Sequence, residues 1–389
     1  MENFDFLLKT KIYFGKNREQ EVGSIVSSYN FKNVLVLFGS GSARKSGLYD
    51  VVLSSLKEYN INYYVLEGIR ANPEISLVRE NIAILKEKNF DLILAVGGGS
   101  VIDTAKSIAV SYFEDCDPFE FNLHTRKPNK ALPIGSILTI SAAGSECSTS
   151  CVMQDDKTAI KMGFNSELVR PLFAIENPEL TYTVSKIQTA YGIMDILMHT
   201  IERYFSESKE CIADHLALAV IKSTMQAGLI VYQEPNNYDA RATLMLNSSL
   251  SHNGLTSIGK KYSMPVHQLE HALSGKYPWV AHAAGLAVLF PKWARYYMQY
   301  DIDKFDNFAK NIFNCNLANK YDNALKGIEL FEEYLAKLEL PKTYKDLNIE
   351  NVDIDSLVNV LTNGGARVVG HHVKPMDKDV AKEIYMSCI

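Results

Sequence analysis

The chain has few cysteines, and they are scattered. Six occur in 389 residues, and no two of them form a Cys-x-x-Cys pair. Cys147 and Cys151 are four residues apart, but no second pair completes a ligand set. Neither a disulfide framework nor a cysteine zinc site is therefore indicated. Because unpaired cysteines are typical of a reducing compartment, we predict a cytoplasmic protein.

Long apolar runs and an excess of basic charge are also missing. No run approaches the roughly 20 residues that span a bilayer. The sequence does not open with a basic segment followed by an apolar one, as a secretory signal would. The formal net charge is -5, and short basic runs such as Lys260-Lys261 are typical of solvated surface. We therefore expect neither a membrane partner nor a nucleic-acid partner.

The composition is that of an ordinary folded protein, with 47% hydrophobic and 22% charged residues. A chain of 389 residues is longer than one hydrophobic core usually organises, so two domains are expected. The pattern changes near Asn177-Pro178, and we place the boundary close to residue 183. The prediction is a dinucleotide-binding α/β domain over 1–183 and an all-helical metal-binding domain over 184–389.

The first domain alternates apolar strands with helical patterns. Strands are predicted at 33–38, 63–66 and 91–96, with helices at 46–59 and 74–88 between them. This β-α-β-α-β order predicts an open, mainly parallel sheet covered by helices. The second domain is predicted to be helical almost throughout, with helices at 186–205, 212–233, 238–253, 303–313, 324–338 and 377–386.

A triple glycine, Gly97-Gly98-Gly99, separates the third strand from a helical stretch over 101–112. Glycines let the backbone approach a pyrophosphate closely, and a helix N-terminus offers free N–H groups and a favourable dipole. Ser100 is a good residue for the N-cap of that helix. A tight strand-to-helix turn with a serine cap explains the same residues. The position after the third strand of an α/β unit favours phosphate binding.

The Gly-Ser-Gly-Ser segment 39–42 follows the first strand but lacks the third glycine of the usual dinucleotide fingerprint. No acidic residue follows the strand directly, where an Asp or Glu would bind the ribose 2′-hydroxyl and repel a 2′-phosphate. Small hydroxyl side chains, with Arg44 and Lys45 close behind, leave room for a phosphate. The segment therefore favours NADP(H) over NAD(H).

Candidate metal ligands lie in the helical half. Asp195 and His199 are four residues apart within an apolar helical pattern, which places a carboxylate and an imidazole on one helix face. A buried aspartate is costly unless it is paired or bound to a metal. The alternative is a hydrogen-bonded pair in the core, and this segment alone would favour that alternative.

A second histidine-rich segment changes this balance. His267 and His271 repeat the four-residue spacing, and His282 follows, so four of the nine histidines and a buried aspartate concentrate in two short segments. Gln268 stands where HExxH proteases carry their glutamate, which disfavours a zinc protease. His267 and His271 are candidates for a metal pair. The residues predict a mononuclear site without assigning its coordination.

Taken in order, these motifs resemble those of the iron-containing alcohol dehydrogenases, and most closely their butanol dehydrogenase branch. The resemblance runs essentially from end to end. It includes FGSGSARKSG at 38–47, GGGSVID at 97–103, LTISAAGSE at 138–146 and HAAGLAV at 282–288. The Asp-x-x-x-His pair, the His-x-x-x-His pair and the later histidine, in this order, are the specific part of the resemblance.

The resemblance implies a Rossmann-like N-terminal domain, an all-helical C-terminal domain and an active site in the cleft between them. It implies that the metal, usually iron(II) and in some members zinc, is bound by Asp195, His199, His267 and His282. His271 matches a histidine beside the site, suggested to aid proton transfer. The residues matched to cofactor contacts are Gly39, Ser40, Ser42, Asn72, Gly97, Gly98, Ser100, Asp103, Thr139 and Lys161. Such enzymes commonly form homodimers through the N-terminal region.

The predicted activity is hydride transfer between NAD(P)(H) and a primary alcohol or aldehyde of the butanol type, assisted by Fe²⁺ or Zn²⁺. A glycerol dehydrogenase or other polyol oxidoreductase, or a dehydroquinate synthase, would share the nucleotide-binding half. Three histidines and one aspartate match the alcohol dehydrogenase branch better. A metal-dependent hydrolase would activate water with the same ligands but leaves the glycine loop unexplained. A catalytically silent protein would not need the whole ligand set.

Overall fold

The computed structural model describes residues 2–206, 209–370 and 372–389. The chain forms two compact units. The first, here called the α/β unit, comprises Leu7–Val184 and Asn236–Asn253. The second, the helical unit, comprises the residues before Leu7, Ser185–Pro235 and Gly254–Ile389. The division expected near residue 183 did not place 236–253 with the first unit, because a helical pattern does not reveal against which unit the helix packs.

The α/β unit is built on a six-stranded parallel sheet. Its strands are β1 (Lys11–Phe14), β2 (Asn33–Gly39), β3 (Asn62–Ile69), β4 (Leu92–Gly97), β5 (Ile134–Leu138) and β8 (Phe173–Glu176). They run in the order β1-β8-β5-β4-β2-β3, and every neighbouring pair is parallel. β6 (Ser150–Asp155) and β7 (Ile160–Asn165) form a separate antiparallel hairpin. β2 and β4 are apolar and almost wholly buried, as strands covered on both faces are.

The helices are distributed over both units. The α/β unit contains α1 (Val22–Ser28), α2 (Ser42–Lys45), α3 (Leu48–Glu58), α4 (Ile75–Lys86), α5 (Gly99–Ser111) and α8 (Tyr238–His252). The helical unit contains α6 (Lys186–Tyr204), α7 (Ile212–Gln233), α9 (Pro265–Lys276), α10 (His282–Tyr297), α11 (Ile302–Phe313), α12 (Lys320–Lys337), α13 (Ile354–Thr362) and α14 (Lys378–Met386). Among its described residues, the one β contact is the isolated bridge between Val369 and Met376. The predicted fold class, α/β followed by all-α, is confirmed.

Helix α7 is more apolar than the sequence-based expectation allowed. With 22 residues, it is the one helix in the described parts of the chain that is long and apolar enough to cross a membrane by length and composition. Just over half of its most apolar stretch, 56%, is buried within the protein. A core helix passes the same test, so this finding is weak support for a membrane span.

Helix α8 joins the α/β unit through a buried polar contact. The hydroxyl of Ser249 lies 2.7 Å from Oε1 of Glu146 and 2.8 Å from Oε1 of Glu176 at the end of β8. Both glutamates are buried. Burial, together with repulsion from Glu146, raises the pKa of Glu176 well above its usual value. One hydroxyl proton serves one acceptor well, so a proton on Glu176 that is donated to the Ser249 hydroxyl would satisfy both contacts.

We expect replacement of Glu176 by glutamine to remove a stability loss at high pH. The neutral form of Glu176 is favoured in the folded state. Its contribution is complete below the unfolded glutamate pKa of about 4.3 and is lost as pH rises through the raised folded value. The free energy of unfolding of Glu176→Gln should match that of the parent at about pH 5 and exceed it by about 1 kcal/mol or more at about pH 9.

Chemical denaturation across this pH range measures the difference between the two proteins. Glu87→Gln, at an exposed position after α4, serves as the charge-matched control. Equal pH dependence in parent and Glu176→Gln would contradict the protonated carboxyl.

Candidate active site

Two of the predicted metal ligands lie one turn apart on α6. Asp195 and His199 are 6% and 5% exposed, so the helix buries both polar side chains. Ser185 caps the helix by accepting a hydrogen bond from the backbone N–H of Gln188. Nδ1 of His199 lies 2.9 Å from the backbone carbonyl of Asp195 and 3.1 Å from its Oδ1. The i,i+4 spacing therefore brings carboxylate and imidazole together as predicted.

Histidines from two other helices approach the same carboxylate oxygen. Nε2 of His267, on α9, lies 3.9 Å from Oδ1 of Asp195, and Nε2 of His282, the first residue of α10, lies 3.8 Å from it. Ligands of a tetrahedral zinc ion, each about 2.1 Å from the metal, stand about 3.4 Å apart. The two separations from Oδ1 are close to that spacing, and all three ligand atoms lie within 4.8 Å of one another, so the group is of a size that one ion can bridge.

Unsatisfied atoms in this group fit a cation. Oδ1 of Asp195 and Nε2 of His267 are buried and have no hydrogen-bond partner among the described residues. Burial raises the pKa of Asp195, but attraction to His199 and His282 outweighs it and lowers the pKa overall. Burial and the neighbouring histidines hold the pKa of His267 well below its usual value. An ionised carboxylate and a neutral imidazole are the forms that bind a metal.

Two buried glutamates stand behind these histidines. Nδ1 of His267 contacts Oε2 of Glu202, and Nδ1 of His282 contacts Oε2 of Glu270. Both glutamate side chains are fully buried. Burial raises the pKa of Glu202 to about 8, although hydrogen bonds from the Val266 and His267 backbone oppose the shift. Above that pKa, ionised Glu202 can accept the Nδ1 proton of His267, which leaves the Nε2 lone pair directed away from the carboxylate in the tautomer that a metal requires.

Glu202 and Glu270 were not among the site residues predicted from the sequence. Their spacing indicates that they share helix faces with the predicted ligands, because Glu202 follows Asp195 by two helical turns and Glu270 follows His267 by one. A glutamate inside an apolar helix face needs a buried partner. The identity of that partner depends on contacts between helices, which the spacing does not show.

The structure divides the predicted ligands into two overlapping groups. Potential ligand atoms of Asp195, His267 and His282 lie within 4.8 Å of one another. Glu270, His271 and His282 form a second such group. His199 lies beside the first group, with its ring centroid 4.4 Å from that of His267, and its Nδ1 faces the Asp195 carbonyl. The inclusion of His199 in the ligand set, and the place of His271 outside it, stay predictions.

The predicted nucleotide-binding residues gather at the carboxyl edge of the parallel sheet. β2 ends at Gly39, and the exposed Ser40 and Ser42 follow it. β4 ends at Gly97, where an added Cβ would stand 2.5 Å from Cγ2 of Val101. At Gly98 it would stand 2.5 Å from Cγ2 of Ile140. Glycine is therefore required for this close packing, at the edge where nucleotides bind in open α/β sheets.

The prediction that Ser100 caps α5 is wrong. The cap position is Gly98, which has an extended backbone, and no side chain caps the helix. Because the helix already begins at Gly99, Ser100 lies within its first turn. No serine hydroxyl therefore caps the N-terminus of this helix, the kind of helix end at which phosphates commonly bind.

The other predicted cofactor residues support the loops at this edge. The backbone N–H of Thr139, directly after β5, donates to the Gly97 carbonyl at 3.2 Å. The ammonium of Lys161 donates to Oδ1 of Asn72 at 3.2 Å, so these two residues lie together. Asp103 instead anchors the fold, because its carboxylate accepts hydrogen bonds from the Ser145 hydroxyl at 2.5 Å and the Val152 backbone at 3.0 Å. Direct cofactor contact by these residues stays a prediction.

Comparison with known proteins gives one consistent result. Residues 9–178 match the family described as iron-containing alcohol dehydrogenase, and residues 189–388 match the C-terminal region of the Fe-containing alcohol dehydrogenase family. The chain is 35% identical to NADH-dependent butanol dehydrogenase A of Clostridium acetobutylicum, over 99% of each chain. It is 29% identical to the NADPH-dependent aldehyde reductase YqhD of Escherichia coli, over 99% of each chain.

A solved structure shows the same relationship. The crystal structure of NADH-dependent butanol dehydrogenase A from Thermotoga maritima superposes with a TM-score of 0.96 at 33% identity, covering 100% of this chain and 99% of that one. The chain therefore belongs to the iron-containing alcohol dehydrogenases. The predicted family and the predicted class of alcohol–aldehyde oxidoreductase are confirmed, and no comparison favours a hydrolase.

We expect Glu270→Gln to weaken metal binding by about 10- to 100-fold. A neutral amide oxygen accepts the Nδ1 proton of His282 more weakly than a charged carboxylate does, so it holds the metal-binding tautomer of His282 less firmly. Isothermal titration of the metal-free protein with Fe²⁺, under anaerobic conditions, or with Zn²⁺ measures the change. Glu350→Gln removes an exposed charge from the same unit and should leave the affinity unchanged. Parent-like affinity in Glu270→Gln would show that the carboxylate does not support the metal site.

Proposed function

We propose that the protein is a metal-dependent alcohol dehydrogenase and aldehyde reductase that acts on primary alcohols or aldehydes of the butanol type with NAD(P)(H). The observation that carries the proposal is the meeting of Asp195, His267 and His282 around one buried point, with Glu202 and Glu270 behind the histidines. The names of relatives support this substrate class, since they include butanol dehydrogenases and an aldehyde reductase.

The chain's own residues would have distinct tasks in this reaction. Asp195, His199, His267 and His282 would hold Fe²⁺ or Zn²⁺, which as a Lewis acid supplies charge stabilisation at the substrate oxygen. Gly97, Gly98 and the first turn of α5 would hold the pyrophosphate of the nucleotide, whose nicotinamide supplies or accepts the hydride. The two carboxylate–histidine pairs keep the ligand nitrogens unprotonated.

His271 is the residue we assign to proton transfer. Its ring centroid lies 5.5 Å from that of His282, and it stands one turn after His267 on α9. An imidazole beside the reacting oxygen can donate a proton to an alkoxide or accept one from an alcohol. Its position beside the proposed ligand His282 would place it close to the substrate oxygen.

We further propose that NADP(H) is favoured over NAD(H). The support is the small, exposed Ser40 and Ser42 after β2, with basic residues directly behind them. The names of relatives are mixed, since NADH-dependent and NADPH-dependent enzymes both occur among them. Steady-state kinetics should give a kcat/KM for NADPH at least a few-fold above that for NADH. A strong preference for NADH would reverse this part of the proposal.

The cellular setting is also a proposal. A cytoplasmic homodimer without membrane or nucleic-acid partners is supported by a net charge of -5 and by cysteines that are free throughout the described residues. β1 is an edge strand of the sheet, and Phe14 at its end is 38% exposed, so the N-terminal region offers a surface for a second copy. Sedimentation equilibrium tests the dimer.

The experiment that tests the function directly is His267→Ala. Because this imidazole reaches the shared Asp195 oxygen, its loss should abolish stable metal binding and reduce butanal reduction by at least about 1000-fold. Metal analysis and aldehyde turnover with NADPH and NADH, on iron- and zinc-loaded protein, provide the readouts. His215→Ala, at an exposed position of α7, is the matched control. Full turnover by metal-free His267→Ala would overturn the assignment.

A further inference from the structure

The first basic residue behind the Ser40–Ser42 segment is not free. Nε and Nη2 of Arg44, on α2, donate to Oε1 and Oε2 of Glu67 at 2.9 Å and 2.8 Å. Glu67 belongs to β3 and lies close to its carboxyl end. β2 and β3 are parallel neighbours, with Gly39 opposite Ile69. The Arg44 and Glu67 side chains therefore lie at the carboxyl edge of the sheet, the edge at which β4 also ends at Gly97. The sequence shows no acidic residue directly after β2, but β3 brings the carboxylate of Glu67 to this edge.

Stability does not explain this pair. The Arg44 and Glu67 side chains are 54% and 37% exposed, and ion pairs at such positions contribute little to stability. The guanidinium of Arg44 also stacks on the ring of Tyr49, at 3.7 Å from its centroid. Two planar contacts thus fix the orientation of one arginine at the edge of the sheet.

The chemistry of the pair points to the ribose of the nucleotide. In open α/β sheets an acidic side chain accepts a hydrogen bond from a ribose 2′-hydroxyl, whereas an arginine accommodates a 2′-phosphate. This chain carries both groups, and they are bound to each other. A 2′-phosphate would have to take Arg44 from Glu67 and would be repelled by the remaining carboxylate. A 2′-hydroxyl meets neither obstacle, so the pair reduces the advantage that the open Ser40–Ser42 segment gives to NADP(H).

We propose that Glu67 is a specificity-determining residue that opposes binding of a nucleotide 2′-phosphate by holding Arg44 and by like-charge repulsion. The inference rests on the proposed nucleotide-dependent function and refines it. The room after β2 admits the phosphate, and Glu67 limits how strongly it binds. The balance between NADPH and NADH is therefore set by a residue of β3 and not by the loop after β2 alone.

The test measures binding of two nucleotide fragments that differ in the 2′-phosphate. Isothermal titration with 2′,5′-ADP and with 5′-AMP reports on this group without requiring turnover. Glu67→Gln should raise the affinity for 2′,5′-ADP by about tenfold and change that for 5′-AMP by less than about twofold. In the same variant, kcat/KM for NADPH should rise relative to that for NADH by a similar factor.

Two further variants separate the contributions. Glu58→Gln removes an exposed negative charge at the end of α3, and it should leave both affinities unchanged. Adding Arg44→Met to Glu67→Gln should reverse most of the gain for 2′,5′-ADP, because the group that Glu67 held is then absent. An equal gain in Glu58→Gln would indicate a general charge effect and would overturn the proposal.

The outcomes also distinguish this inference from the proposed function. If 5′-AMP and 2′,5′-ADP bind to the parent but Glu67→Gln leaves their ratio unchanged, Glu67 does not set specificity, while nucleotide binding stands. If neither fragment nor NADPH nor NADH binds to any variant, the nucleotide-dependent function fails, and this inference fails with it.

Discussion

One carboxylate oxygen organises the helical unit. Oδ1 of Asp195 is buried, and imidazoles from α6, α9 and α10 converge on it. Removing such a group from water is costly unless a cation or hydrogen bonds replace the solvent. The same requirement applies to Glu202 and Glu270, whose buried carboxyl groups contact Nδ1 of His267 and Nδ1 of His282. Three helices are thereby positioned by one electrostatic constraint.

The α/β unit is organised by backbone geometry instead of charge. Parallel strands end at one edge, and the close packing at Gly97 and Gly98 leaves no space for a side chain where α5 begins. Polar contacts then secure the surrounding loops, such as the bond from Thr139 to Gly97. The chain belongs to the iron-containing alcohol dehydrogenases, whose class of reaction is alcohol–aldehyde redox chemistry.

Much of the fold was accessible from the sequence because its signals are local. Buried parallel strands are continuous apolar runs, so β2 and β4 were predicted within one or two residues. Helix α7 was predicted with its observed bounds, Ile212–Gln233. The predicted N-cap of α5, Ser100, lies two positions after the observed one, because the extended backbone of Gly98 lets the helix begin at Gly99. The return of α8 to the sheet had no local signal and depends on its contacts with Glu146 and Glu176.

The sequence by itself determined which chemistry the chain carries. The spacing of Asp195 and His199, the histidines that follow, and the triple glycine after a buried strand are local patterns, and the family resemblance ordered them. Only the tertiary structure decided which side chains meet. It paired His267 with Glu202, and Arg44 with Glu67, across separations in sequence of 65 and 23 residues. Such partners are selected by the packing of helices and the order of strands, which periodicity along the chain does not encode.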